Sequence, residues 1–163
     1  MASFPEAGRG LTLYDAARQM GVPFNQENEP TDRFIQVNGM SFHYLEWGDA
    51  GRPNVLMLHG SAQQAHSWDF VSLALSDKYH VLALDQRGHG DSDWAPDGDY
   101  SIEAQQRDMD GIVQEIGLRG FVLMGHSMGG RNSYVWASRN PGALKGLVIV
   151  DTGPETHRSG QER

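Results

Sequence analysis

The clearest chemical signal in the sequence is a serine between two glycines at residues 125–129, which read G-H-S-M-G. This G-x-S-x-G pattern follows a short apolar run and precedes a helical pattern, so Ser127 should lie on a tight turn from strand to helix. Glycine at both flanking positions avoids the clash that larger side chains would cause there. The turn would expose the Ser127 hydroxyl at a helix N-terminus, where the helix dipole favours developing negative charge. The pattern predicts a serine nucleophile, although a glycine-rich turn that only packs is the alternative.

A serine nucleophile also needs backbone N–H groups directed at the oxygen that becomes negatively charged. The N–H of Met128, directly after the nucleophile, is one candidate. The second is the N–H of Ser61, because His59-Gly60-Ser61 follows another apolar run and Gly60 allows that loop to turn sharply. We expect His59 to brace this loop from beneath. The alternative is that Gly60 only ends a strand.

A third motif, D-Q-R-G-H-G-D-S, occupies residues 85–92 and also follows an apolar run. We interpret it as structural, as a glycine turn held by internal hydrogen bonds and by a contact between an aspartate and Arg87. It would shape the rim of the site, and direct contact with a substrate is the alternative.

Short apolar runs and helical patterns alternate along the chain and would position these motifs. The runs are continuous, which is typical of parallel strands that are buried on both faces. Asn38-Gly39 between two strand patterns predicts a tight hairpin. The sequence therefore predicts an α/β fold, a mostly parallel sheet with helices on both faces and a hairpin at one edge. The predicted strands are residues 34–37, 40–47, 55–58, 81–84, 121–124 and 147–150, and the predicted helices are 11–20, 68–76, 102–116 (with Ser101 as N-cap and Gly117 as stop) and 128–139.

Composition limits the classes of function. The chain has 163 residues, enough for one domain, and a formal net charge of −8. Because acidic chains repel phosphate backbones and anionic lipids, we expect neither a nucleic-acid nor a membrane partner. There is no cysteine, metal-ligand cluster, signal peptide or membrane span, so we expect no metal or other cofactor and a cytoplasmic location. We divide the chain into an N-terminal extension (1–30), a core (31–153) and a polar tail (154–163).

The three motifs, in this order and spacing, resemble the α/β-hydrolase superfamily over residues 33–153. They are similar to its esterase, lipase, C–C hydrolase and cofactor-free haloperoxidase branches. The resemblance implies a serine hydrolase that acts on a small ester, lactone or other activated carbonyl through an acyl-enzyme. Epoxide hydrolases and haloalkane dehalogenases are similar in these motifs but carry aspartate where this chain has Ser127, which argues against those two activities. Acyl transfer or perhydrolysis by the same serine remains open.

The resemblance also implies an acid and then a histidine after the nucleophile. The sole downstream histidine is His157, and the acids are Asp151, Glu155 and Glu162. Asp151 is a candidate acid, although a role in capping or loop order is the favoured one, and His157 has no following strand to hold it.

The family's sheet continues beyond the sixth strand, so we expect this chain to be the N-terminal part of a longer enzyme. The remaining strands and cap would come from a C-terminal half, as a continuation or a second chain, with the tail as the start of the cap. A non-catalytic ligand-binding or interaction protein that lacks a working base is the alternative. Among the other histidines, we expect His126 to point into the fold, while His66 is placed to reach the mouth of the pocket.

Overall fold

The computed structural model describes residues 10–153, which form a six-stranded sheet with helices on both faces. The order of strands across the sheet is β1-β2-β4-β3-β5-β6. The first two pairs are antiparallel, and the pairs β4–β3, β3–β5 and β5–β6 are parallel. The predicted α/β fold with a mostly parallel sheet is therefore confirmed. The strands are β1 (Thr31–Val37), β2 (Met40–Trp47), β3 (Asn54–Leu58), β4 (His80–Leu84), β5 (Phe121–His126) and β6 (Leu144–Val150).

The hairpin at one edge of the sheet forms because its two central residues accept a left-handed backbone. Asn38 and Gly39 have φ angles of 53° and 78°. Val37 therefore pairs directly with Met40, and the register continues along both strands.

The helices begin and end where local chemistry favours it. The Ser101 hydroxyl accepts a hydrogen bond from the N–H of Ala104 at the start of the third helix, and Gly117 ends that helix with a φ of 77°. The last two helices match their predicted bounds. The helices are α1 (Leu13–Met20), a 3-10 turn (Ala65–Trp68), α2 (Asp69–Leu75), α3 (Ile102–Ile116) and α4 (Met128–Arg139).

Apolar side chains form one core on each face of the sheet. Because side chains alternate along a strand, Leu56 packs on the face covered by α3 and α4, while Met57 packs on the face covered by α1 and α2. Every residue of β4 is buried. Ala17 of α1 is also fully buried, so this helix from the N-terminal region is part of the second core.

Strand β6 lies at the opposite edge of the described sheet from the hairpin. Its apolar side chains Leu147, Val148 and Val150 are exposed. The β3, β5 and β6 strands end at the same edge of the sheet, and the predicted motifs follow β3, β4 and β5 there. None of the described helices is long and apolar enough to cross a membrane.

Candidate active site

Ser127 occupies a strained turn between β5 and α4. Its φ and ψ angles are 49° and −112°, a backbone conformation that favours glycine. The neighbouring glycines are required by close backbone contacts. A Cβ on Gly129 would lie 2.6 Å from the carbonyl oxygen of His59, and a Cβ on Gly125 would overlap the carbonyl of Gly129 and the hydroxyl of Ser133. These contacts are the steric reason for the glycines of the G-x-S-x-G pattern.

Backbone hydrogen bonds fix this turn against the ends of two neighbouring strands. The N–H of Ser127 donates to the carbonyl of Val150 at 2.9 Å, and the N–H of Gly129 donates to the carbonyl of His59 at 3.1 Å. The second bond holds the start of α4 beside the loop after β3. The N–H of Met128 belongs to the first turn of the helix and has no acceptor within it, so it is free to bind an anion.

The loop after β3 carries the other predicted donor. The carbonyl of Gly60 accepts hydrogen bonds from Nδ1 of His59 at 2.7 Å and from the N–H of Gln63 at 3.3 Å. The N–H of Gly60 in turn donates to Oε1 of Gln63 at 2.8 Å. Among residues 10–153, no hydrogen bond uses the N–H of Ser61. This N–H therefore remains available beside the start of α4.

His59 lies fully buried beneath this loop, and its tautomer follows from its partners. The backbone N–H of Gln86 can only donate, so Nε2 of His59 accepts that bond, at 3.1 Å. Nδ1 must then carry the proton that is donated to the carbonyl of Gly60. Burial lowers the pKa of His59, which favours this neutral form.

His126 and Asp151 lie at the rim of the turn. Nδ1 of His126 is 3.0 Å from Oε1 of Gln63, and its Nε2 is 3.7 Å from Oδ2 of Asp151. The His126 side chain is 27% exposed, so most of its surface is buried. Its contact with Gln63 joins two elements that are distant in the sequence, which the sequence did not signal.

The candidate acid Asp151 directly follows β6, with a φ of 54° and a side chain that is 85% exposed. Within the described part of the chain, the imidazole of His126 is the ionisable group that lies within 4 Å of its carboxylate. The other acids and the histidine considered for a triad, Glu155, Glu162 and His157, lie outside the described residues. His66 is exposed, and its Nδ1 contacts Oδ2 of Asp69 at 2.9 Å.

The structure thus brings together three of the predicted site residues, Ser127, Met128 and Ser61, through the contact between Gly129 and His59. Among residues 10–153, no histidine hydrogen-bonds to the Ser127 side chain.

The motif at residues 85–92 acts as a buried scaffold. The Asp85 carboxylate accepts hydrogen bonds from Nδ1 of His43 at 2.8 Å and from the backbone N–H groups of Ala65 at 2.6 Å and Asp91 at 3.0 Å. Oxygens and nitrogens of His43, Asp85 and Asp91 lie within 4.8 Å of one another, a spacing that suits a metal ion. The hydrogen bonds already engage both Asp85 oxygens, so the cluster is explained as a structural one.

Arg87 of the same motif makes the predicted contact with an aspartate. Its partner is Asp108 on α3, and Nη2 of Arg87 is 2.7 Å from Oδ1 of Asp108. Both side chains are buried. A contact between two elements cannot be inferred from the spacing within one motif.

A cavity of about 450 Å³ lies between the C-terminal ends of α3 and α4. Asp110, Val113, Trp136 and Arg139 contribute to its lining. Ser127 precedes the N-terminus of α4, so this cavity is at the other end of the helix from the candidate nucleophile and does not belong to the same site.

Three amide side chains beside the site were missed from the sequence. Gln63 contacts the oxyanion loop, and Gln86 and Asn132 form buried hydrogen bonds behind it. Amide residues follow no spacing that marks such a role, so the sequence held no signal for them.

Comparison with known proteins agrees with this geometry. Residues 53–162 match the family model described as alpha/beta hydrolase fold. The chain is 36% identical over 90% of its length to the sn-1-specific diacylglycerol lipase ABHD11 of Mus musculus, covering 48% of that protein. It is 33% identical over 87% of its length to Esterase Rv0045c of Mycobacterium tuberculosis, covering 45% of it.

A crystal structure of an alpha/beta hydrolase from Novosphingobium aromaticivorans is similar, with a TM-score of 0.76 and 31% identity. That match covers 85% of this chain and 50% of the other. The chain thus spans about half the length of the relatives it matches. The relatives include lipases, esterases and epoxide hydrolases. Because a family model and relatives over 30% identical both cover most of the sequence, the chain belongs to the alpha/beta hydrolase fold family.

Proposed function

We propose that this chain is the N-terminal part of a serine hydrolase that acts on a small ester, lactone or other activated carbonyl. The observation that carries the proposal is the strained backbone of Ser127, at a φ of 49°, held between two glycines at which a Cβ would overlap neighbouring backbone. Strain of this kind persists where the surrounding structure imposes it, and it is concentrated at functional sites. A residue with only a packing role would not need this conformation.

In this mechanism the Ser127 hydroxyl oxygen attacks the substrate carbonyl, and its proton passes to a histidine base. The carbonyl oxygen becomes an oxyanion that accepts hydrogen bonds from the N–H groups of Met128 and Ser61. The bond to the leaving group then breaks, the leaving group takes the proton, and an acyl-enzyme on Ser127 remains. Water, activated by the same base, releases the acid and restores the serine. No metal or other cofactor is needed for these steps.

The base and its acid partner would come from a C-terminal half that the relatives possess beyond the matched region. As a continuation or a second chain, that half would pair with the exposed edge of β6 and place its histidine near Ser127. Asp151, at the end of β6, is positioned to serve as the acid if that histidine replaces His126 as its partner. The names of two relatives, a lipase and an esterase, support acyl chemistry at this serine.

Intact-mass spectrometry before and after treatment with a fluorophosphonate probe tests the proposal. The 18.0 kDa chain should gain one adduct when a C-terminal half accompanies it, and Ser127→Ala should gain none. Ser138→Ala, which removes an exposed hydroxyl from α4, is the matched control and should label normally. An adduct that persists in Ser127→Ala would contradict the assignment of the nucleophile.

A second candidate is a ligand-binding or interaction protein with the same fold and no catalysis. It is favoured by the finding that no histidine among residues 10–153 hydrogen-bonds to Ser127. In that case the complete protein, with every segment present, would remain unlabelled while still folded.

A further inference from the structure

A chain of buried hydrogen bonds connects the nucleophile's helix with the oxyanion loop. Asn132 on α4 donates from Nδ2 to Oε1 of Gln86 at 2.7 Å. Gln86 donates from Nε2 to the carbonyl of His59 at 2.6 Å and from its backbone N–H to Nε2 of His59 at 3.1 Å. His59 donates from Nδ1 to the carbonyl of Gly60 at 2.7 Å. Asn132, Gln86 and His59 are all buried.

The direction of every bond in this chain is fixed. Because the N–H of Gln86 can only donate, Nε2 of His59 must accept and Nδ1 must donate. The Gln86 amide cannot be turned over, since its Oε1 would then face the carbonyl oxygen of His59. The other hydrogen of Asn132 Nδ2 is directed at Oε1 of Gln105. The Asn132 and Gln86 side chains therefore hold the backbone carbonyl of His59, while the Gln86 backbone N–H holds the His59 ring.

The last bond of the chain sets the orientation of the peptide that carries the predicted oxyanion donor. The carbonyl of Gly60 and the N–H of Ser61 belong to one planar trans peptide and point in opposite directions. Holding the Gly60 carbonyl against His59, inside the fold, directs the Ser61 N–H away from the core. A freely rotating peptide would not hold this donor in place, and an oxyanion hole depends on donors that are oriented before the reaction.

We propose that Asn132 is a positioning residue for the oxyanion hole. Through the Gln86 side chain it holds the His59 backbone carbonyl, and with it the loop that directs the Ser61 N–H towards the substrate carbonyl. The role rests on the proposed serine hydrolase function. Asn132 touches neither the nucleophile nor the predicted donor. It lies on the helix that begins at the nucleophile, so the chain of bonds keeps the nucleophile and the donor at a constant separation.

The test compares Asn132→Leu with Gln106→Leu in the complete protein. Leucine has nearly the shape of asparagine but cannot donate to Gln86. Gln106 is an equally buried amide that donates to the backbone carbonyl of Asn132 at 3.2 Å and has no bond to Gln86 or His59, so it is the matched control. Gln86→Met removes the next bond, from Gln86 to the carbonyl of His59, and replaces Asn132→Leu in the test if that variant does not fold.

Two readouts separate positioning from a general effect on folding. Hydrogen exchange of the Gly60 amide, which donates to Oε1 of Gln63, reports how firmly the loop after β3 is held, and the rate of fluorophosphonate labelling reports Ser127. In Asn132→Leu the Gly60 amide should exchange at least about 10-fold faster, and the maximal labelling rate should fall at least about 10-fold, towards the 10²–10³-fold that follows the loss of an oxyanion donor. The probe concentration at half-maximal rate and both readouts in Gln106→Leu should not change.

An unchanged exchange rate and labelling rate in Asn132→Leu would overturn the proposal. If the parent protein is folded but does not label at all, the proposed function fails instead. The exchange comparison then decides the positioning role alone, because hydrogen exchange does not depend on catalysis.

Discussion

The strain at Ser127 predicts that glycine stabilises the fold at this position more than alanine does. Ser127→Gly and Ser127→Ala both remove the hydroxyl, so they differ only in Cβ. At φ 49° and ψ −112° that Cβ costs about 1–3 kcal/mol. Glycine opposes this gain because it loses about 0.5–1 kcal/mol more backbone entropy on folding. The net expectation is that Ser127→Gly is more stable than Ser127→Ala by about 1 kcal/mol.

Ser138 provides the control, because it is an exposed residue of the same helix α4. In a regular helix alanine is more stabilising than glycine by about 1 kcal/mol, so Ser138→Ala should be more stable than Ser138→Gly, the reverse of the order at Ser127. Urea unfolding followed by circular dichroism gives the free energies of unfolding of all four variants. Equal slopes of free energy against urea concentration would show that their denatured states are comparable. In a chain of this length the difference corresponds to about 3 °C in Tm.

The reasoning would be refuted if Ser127→Gly were no more stable than Ser127→Ala while the Ser138 pair behaved as expected. The turn would then hold its serine without strain. The argument that links this backbone to catalysis would lose its basis.

Three further predictions concern the scaffold. Arg87→Met should lower the free energy of unfolding by about 3–5 kcal/mol because it leaves a buried carboxylate unpaired, whereas Arg107→Met at an exposed ion pair should cost under about 1 kcal/mol in the same urea titration. Because burial lowers the pKa of His59, the unfolded chain binds a proton at a higher pH than the folded protein does. The free energy of unfolding should therefore decline as the pH falls below 6.5, the usual pKa of histidine, and His59→Gln should reduce that decline. Gly111→Ala should destabilise α3 despite alanine's helix preference, because its Cβ would overlap Val37, and Val37→Ala should cost less free energy of unfolding in the Gly111→Ala background than alone.

Local patterns predicted most of the fold because their causes are local. Asn38-Gly39 predicts the hairpin through the backbone that these two residues prefer, and Ser101 and Gly117 mark the ends of α3 through their own hydrogen bond and φ angle. The apolar runs predicted the strands, and β4 is buried on both faces as such a run indicates, whereas the run of β6 lies at the edge of the described sheet and is exposed. The turn at Ser127 was predicted in part for the same reason, since Gly125 is required by contacts within that turn and its helix, whereas Gly129 is required by the distant carbonyl of His59.

The parts of the site that the sequence did not reveal depend on contacts between distant elements. Arg87 binds Asp108 because α3 packs beside its loop, and His126 contacts Gln63 because the loop after β3 lies beside the turn at Ser127. Gln86 and Asn132 meet only after the sheet and α4 have assembled. Side-chain amides bind in many environments, so their place in the sequence carries no signal of their partners.

The sheet order has a consequence for the route by which this chain folds. The hairpin strands β1 and β2 are neighbours in sequence, whereas the bond between His126 and Gln63 joins residues 63 positions apart. Parallel pairing of β3 with β5 must therefore close a long loop before the turn at Ser127 meets the loop after β3. Such distant pairings are slow to form. The candidate active site should be among the last regions to assemble. In refolding followed by pulsed hydrogen exchange, the amide of Gly129 should gain protection after the amides of β1 and β2.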